Sequence, residues 1–219
     1  MREAEIVEAE IRHLETQLGR LERNELDAEL FKKIRLQYGI YSMRRAKTSY
    51  MIRVRIRLGI ISAEQLDVLS GICDEMTPSG SCHLTTRQDA QLYGIERKNV
   101  VRFLRKLASV GLTTREASGN VVRNITCCPR AGVSPEEPFD ATPYAQALSE
   151  YLLRNPLTQN LPRKVKIAFE WCRIDHARTA IHDIGVVAAL DNGRVGFRLY
   201  AGGGLGPAPR AAALIEPWT

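Results

Sequence analysis

Four short segments carry cations on patterns that otherwise read as buried strand or tight loop. They are residues 50–59 (YMIRVRIRLG), 83–94 (HLTTRQDAQLYG), 121–129 (VVRNITCCP) and 161–169 (LPRKVKIAF). In the first, Tyr50, Ile52, Val54, Ile56 and Leu58 alternate with Met51, Arg53, Arg55 and Arg57. Period-two alternation predicts a half-buried strand with all three guanidiniums along one face. In the last, Lys164 and Lys166 share a face by the same spacing. Like charges aligned in this way repel, and an anion held against them removes that cost. One such segment reads as a solvated sheet face. Four in one chain point to an anion site.

The elements that position these cations can be read from periodicity and turn chemistry. Residues 1–23 carry Ala4, Val7, Ile11, Leu14, Leu18 and Leu21 at alternating three- and four-residue steps, an a/d seam on a helix. The seam either docks on the body or pairs with a second copy. A short helix over 27–41 closes near Gly39, and the strand 50–58 follows. Ser62 with Gln65 three residues on is a capping box opening a helix, and a strand is predicted near 83–92. A second helix over 97–110 turns Val100, Phe103, Leu104, Leu107 and Val110 inward and ends at Gly111. Strand–helix–strand–helix over this span suggests a ferredoxin-like α+β half-domain.

After 119 the texture changes. A Pro/Gly-rich loop runs to Phe139, and Pro143 starts a helix that ends before Pro156. One or two helical turns are expected over 177–183. Asp191-Asn192-Gly193 predicts a hairpin turn between strands 186–190 and 195–200. The run 202–206 (GGGLG) is backbone that can approach a flat or anionic ligand closely, and it is not a Walker motif.

Composition narrows the classes. The 219 residues suit one or two domains, with 44% hydrophobic and 26% charged residues, as in globular proteins. The net charge of +6 favours an anionic partner without choosing among nucleic acid, membrane surface and polyanionic cofactor. No apolar run approaches the roughly 20 residues that span a bilayer, and the acidic start MREAEIVEAE does not read as a signal peptide. Five cysteines without a CxxC pair fit a reduced, cytoplasmic setting, with no membrane partner expected.

The motifs LTTRQDAQ, VVRNITCCP, LPRKVKIAF, AIHDIG and GFRLYAGGGLG, in this order, resemble the N-terminal half of the siroheme-containing nitrite/sulfite reductases, from about Phe31 to Pro209. The resemblance implies an α+β fold. It would have an N-terminal helical segment (1–41), a ferredoxin-like half-domain (45–115) and an incomplete siroheme-binding α+β domain (119–219). It implies the six-electron reduction of sulfite to sulfide or nitrite to ammonia, with an electron donor such as ferredoxin. Family substrate-site cations fall by motif on Arg55, Arg123, Lys164 and Lys166. Arg87, Gln91 and Asn124, with Arg163, match positions that hold the macrocycle. Lys166 resembles the sulfite-type pattern.

Departures from the family accompany the likeness. Its 4Fe–4S cluster is held by four cysteines of the C-terminal half, so the cluster's ligands are not expected in this chain. Cys73, Cys82, Cys127, Cys128 and Cys172 read as packing residues or neighbours of the macrocycle, and no metal ligand is assigned. Activity would then need a C-terminal reductase half as partner. Residues 42–45 (SMRR) and 57–59 (RLG) are atypical for their places.

The histidines give no helical metal pair, since His176 and His182 are six apart. His182-Asp183 matches AIHDIG and is expected to orient backbone near the macrocycle. Trp171 reads as core and Trp218 as terminus. The rival class is a winged-helix nucleic-acid binder, with 83–94 as helix and turn and Arg97, Lys98, Arg102, Arg105 and Lys106 facing phosphates. Nucleic acid is the weaker reading, because the charge sits on apolar strands as much as on that helix.

Overall fold

A computed structural model describes residues 3–43 and 46–219; Arg44 and Arg45 of the atypical 42–45 segment lie outside the described residues. The chain divides into two compact units. One holds the residues through Ile56 together with Ile60–Gly119, and the other holds Arg57–Gly59 with Asn120–Thr219. Among the described residues no helix is long and apolar enough to cross a membrane.

The first unit opens with α1 (Glu3–Glu22) and α2 (Ala28–Gln37), the latter capped by Asp27, whose carboxylate accepts from the backbone N–H of Glu29 and Leu30. The heptad seam is resolved in favour of docking: Ile11, Leu14 and Leu18 are buried in the core of this unit. Its sheet contains β1 (Ile40–Met43), β2 (Ala46–Arg55), β3 (His83–Leu84) and β4 (Asp89–Glu96), antiparallel in the order β1-β2-β4-β3. Ile52, Val54, Ala90 and Leu92 bury one face against α1, α3 (Ala63–Met76) and α4 (Val100–Ala108). The capping box is present, Ser62 accepting from Gln65 N and Gln65 from Ser62 N. Gly111, at φ +72°, ends α4 with the paired bonds of a Schellman motif, Gly111 N to Ala108 O and Leu112 N to Leu107 O.

Two predicted strands are corrected here. β2 stops at Arg55, and Arg57–Gly59 form a 3₁₀ turn with Leu58 at φ +56°. Alternation therefore holds only to Arg55, and the face carries Arg53 and Arg55 but not Arg57. The predicted strand 83–92 is interrupted between β3 and β4. Gln88, at φ +53°, donates to Thr85 O there, and Thr85 Oγ1 accepts from the N–H of Arg87 and Asp89. Because 89–96 is strand paired to β2, the helix-turn-helix reading fails at its first helix.

The second unit is built on a five-stranded mixed sheet of β5 (Thr126–Cys127), β6 (Ile167–Glu170), β7 (Ile184–Asp191), β8 (Arg194–Ala201) and β9 (Ala213–Glu216), in that order. β5, β6 and β7 run parallel, and β7, β8 and β9 antiparallel. Asn192 and Gly193 both take positive φ (48° and 79°), the turn that Asn-Gly selects. α5 (Thr142–Leu152) starts with Pro in its first turn as expected and covers the sheet through Ala145, over Ile125, Phe169 and Trp171. Leu58 joins this core. Trp218 is more than a loose terminus. It lies beside Gly196 under Arg194, whose guanidinium carbon is 4.8 Å from the ring centroid, and Thr219 exchanges backbone bonds with Phe197.

Candidate functional site

In the second unit the chain 121–125 runs beside 163–167. Val122 forms a parallel bridge with Val165, Val165 N donates to Val121 O at 3.2 Å, and Arg123 N donates to Val165 O at 2.9 Å. Val122 and Val165 turn into the core. Arg123 follows the bridge on its segment, and Lys164 and Lys166 flank Val165 on the other, so the backbone brings the three predicted cations close together along one ladder. Lys164 and Arg163 are exposed, Arg123 and Lys166 half-buried, and Asn124 fully buried.

A loop after β6 fixes this ladder. Asp183 Oδ2 accepts the backbone N–H of Lys166 at 2.7 Å, Ile184 N donates to Lys166 O at 3.2 Å, and Asp183 O accepts from Gly202 N at 3.0 Å. His182 is buried, its Nδ1 2.7 Å from Arg178 O. The expected helical turn is a 3₁₀ turn over Thr179–Ile181. Within the glycine run, a Cβ on Gly203 would lie 2.5 Å from the carbonyl oxygens of both Ala180 and His182. What approaches this glycine closely is the chain's own backbone.

In the first unit, Arg55 and Glu116 are each 1% exposed and meet at 3.6 Å, a buried ion pair. Arg53 is the more accessible cation, and sequence reasoning left it out of the site. It lies across from Gln91 in the β2–β4 register, and its guanidinium carbon is 5.3 Å from the Tyr41 ring centroid. With the Gln91 amide oxygen turned toward it, Gln91 accepts from Arg53 Nη2 at 2.6 Å and donates to Tyr93 Oη at 2.8 Å. Arg87 sits in the 85–88 turn, half-buried. The predicted site residues thus divide between the units: Arg55, Arg87 and Gln91 in the first, Arg123, Asn124, Arg163, Lys164 and Lys166 in the second.

The basic helix of the rival reading is matched by carboxylates of its own unit. Arg102 and Lys106 pair with Glu75 at 2.6 and 2.7 Å, and Arg105 with Glu8 and Glu15 at 3.2 and 2.9 Å. A phosphate backbone would have to displace these partners.

The five cysteines read from the sequence as packing residues or neighbours of the macrocycle, and two of them stand in a cluster of possible metal ligands. Cys128, Cys172, His176 and Glu170 bring one potential ligand atom each within 4.8 Å of one another. The two sulfurs are 3.6 Å apart, and Cys128 Sγ is 3.7 Å from His176 Nδ1. Cys172 and His176 form a C-x₃-H pair that could have drawn notice, but Cys128 is 44 residues away from Cys172. Burial, with the Glu170 carboxylate adding to it, pushes the Cys128 thiol well above its ordinary range.

Comparison with known proteins follows the same division. The nitrite/sulfite reductase ferredoxin-like half domain matches residues 41–110, and the nitrite and sulphite reductase 4Fe-4S domain matches 118–219. Together these two matches cover most of the chain. Among curated relatives, the ferredoxin–nitrite reductase of Synechococcus elongatus is 36% identical over 158 residues, covering 70% of this chain and 31% of the relative. The chloroplastic ferredoxin–nitrite reductase of Zea mays is 31% identical over 212 residues, covering 92% of this chain and 37% of the relative. The structure of the Mycobacterium tuberculosis NirA protein superposes with a TM-score of 0.79 at 25% identity, covering 96% of this chain and 43% of that one. The chain belongs to the nitrite/sulfite reductase family, as the resemblance implied, and it spans about a third of the length of these curated relatives.

Proposed function

We propose that this chain supplies the cationic shell for siroheme and a small oxyanion in a nitrite/sulfite reductase, an oxidoreductase reducing nitrite to ammonia or sulfite to sulfide. The observation that carries the reading is the ladder at Val122–Val165, which supports Arg123, Lys164 and Lys166 acting as one anion-facing group. Nitrite is the first substrate to test, because the relatives compared are ferredoxin–nitrite reductases. Ferredoxin is by the same argument the proposed electron donor. Sulfite is the alternative suggested by Lys166.

In the second unit the exposed Arg163 is proposed to donate to a carboxylate of the macrocycle, and in the first unit the half-buried Arg87 is proposed for the same kind of contact. The cysteines do not fit a 4Fe–4S cluster. Cys128 and Cys172 lie 3.6 Å apart beside a histidine, and no four cysteines gather among the described residues. The cluster's ligands therefore belong to a further reductase segment, the proposed C-terminal partner. Siroheme and that cluster, when bound, carry the electrons of the reduction. The chain's own part is to hold the oxyanion, to polarise its N–O or S–O bond through Arg123, Lys164 and Lys166, and to lead protons in through these heads or through ordered water. Arg55, 1% exposed and paired with Glu116, is not assigned a part in this step.

The test is an absorption spectrum of the purified chain, alone and co-expressed with the rest of a reductase. Siroheme bands are expected only from the assembled protein. Their absence from both preparations sinks the reading, and strong bands from the isolated chain overturn the proposed dependence on a partner.

A further inference from the structure

We propose that Cys128, Cys172 and His176 form a mononuclear site for a zinc-class divalent cation, with the Glu170 carboxylate closing its shell. Around a tetrahedral ion with metal–sulfur bonds of about 2.3 Å, two thiolates sit about 3.8 Å apart, and a thiolate and an imidazole nitrogen about 3.6 Å apart. The observed separations are 3.6 Å for Cys128 Sγ to Cys172 Sγ and 3.7 Å for Cys128 Sγ to His176 Nδ1. His176 Nδ1 is 3.9 Å from Glu170 Oε2. All four donors lie within 4.8 Å, and the cysteines and the glutamate are buried. The two sulfur separations thus match a tetrahedral shell to within a few tenths of an ångström, and the remaining donors stand close enough to complete it by small shifts.

The supporting bonds favour a built site. Glu170 Oε1 accepts the backbone N–H of Trp171 at 2.9 Å and of Cys172 at 2.8 Å, and Oε2 accepts that of Ala177 at 2.7 Å. One carboxylate therefore pins both ends of the loop that carries Cys172 and His176. Cys128 follows β5 and donates its own N–H to Phe169 O at 3.0 Å, so its thiol is fixed to the neighbouring strand.

Other uses of these residues fit less well. A disulfide needs sulfurs about 2.05 Å apart. A nucleophilic cysteine needs an exposed thiol of lowered pKa, whereas Cys128 is 3% exposed and its thiol is pushed up. An iron–sulfur cluster needs two more cysteines. A divalent cation reverses the local cost: it takes the place of the two thiol protons, which leave to solvent, and neutralises the charge beside Glu170. His176 must then carry its ring proton on Nε2, and the exposed Arg130, whose Nη1 is 3.5 Å from Nε2, turns away.

The site needs neither siroheme nor a reductase partner, so its test reads apart from that of the reaction. The full chain, reduced and stripped with a chelator, is titrated with Co²⁺ and then with Zn²⁺. One Co²⁺ per chain is expected, with thiolate-to-cobalt charge transfer in the near-ultraviolet and strong tetrahedral bands in the visible, all lost on adding Zn²⁺. His176→Ala is expected to weaken Co²⁺ binding by more than about tenfold, at least the scale that outer-shell changes alone reach. Cys172→Ser should abolish the charge-transfer band, and Cys82→Ser, in the other unit, should leave it intact. Absence of that band from the folded wild-type chain at stoichiometric Co²⁺ overturns the proposal whether or not the variants fold. So does a band unchanged in a folded Cys172→Ser chain.

Discussion

Asp183 Oδ2 takes the backbone N–H of Lys166 at 2.7 Å, so the carboxylate of AIHDIG holds the lysine-bearing ladder from below the β6–β7 step. A hydrogen bond to a charged acceptor contributes about 1.5–3 kcal/mol. Asp183→Ala should lower the free energy of urea unfolding by that much, and Asp183→Asn, which keeps an acceptor oxygen, should lower it less. Equal stability of all three proteins would show that the bond does not hold the ladder.

Gly203 gives a sharper steric expectation. A methyl group there meets two carbonyl oxygens at 2.5 Å, and both belong to backbone that cannot swing aside. Gly203→Ala should cost about 1–3 kcal/mol, the usual range for overpacking. Gly204→Ala, one residue on, points into open space and should be nearly silent. Thermal unfolding of the two variants side by side decides it, and a Gly203→Ala chain as stable as wild type would mean the loop is not seated on 180–182.

The features legible in the sequence are those fixed by local chemistry. The Ile11–Leu14–Leu18 seam, the Ser62–Gln65 box and the Asn192-Gly193 turn each depend on residues a few positions apart, and each is present. Motif order also carried the α+β class and the family. Losses came where a backbone state or a distant contact decided. Alternation continues in type through Leu58, but its φ of +56° ends the strand pattern. The burial of Arg55 was not legible, because its counter-charge, Glu116, lies far along the chain. The meeting of Cys128 with Cys172 could not be read from spacing, because it depends on parallel strands that bring residues 44 positions apart together.

Alkaline pH should weaken the fold through its buried thiols. Burial, with Glu170 adding its charge, pushes Cys127 from 9.0 to about 12. A folded pKa above the unfolded one means stability present below pH 9 and lost as pH rises toward 12, because only the unfolded chain releases the proton there. Each such thiol removes up to about 1.4 kcal/mol per pH unit in that window. Cys73, raised to about 11 chiefly by burial and then by Cys82, adds to the same decline. Urea unfolding at pH 8 and pH 10.5 should show the loss, and Cys127→Ala should lessen it by one thiol's share. An identical pH slope in wild type and variant would remove Cys127 from the account.

The final prediction sets the ladder cations against the helix cations. Arg123 and Lys164 flank the Val122–Val165 bridge, and in an assembled reductase each is proposed to meet charge developing on a small oxyanion. Removing one such donor typically slows turnover about 10²–10³-fold. Arg123→Ala and Lys164→Ala should therefore reduce kcat for nitrite or sulfite on that scale while siroheme absorption persists. Arg102 and Lys106 instead meet Glu75 at the surface, where water screens both charges. Arg102→Ala and Lys106→Ala should leave turnover unchanged, and none of the four proteins should bind DNA with a salt-dependent affinity. Turnover and DNA binding measured in parallel separate the classes. Essential Arg102 and Lys106 with dispensable Arg123 and Lys164 would remove the ladder from the active site.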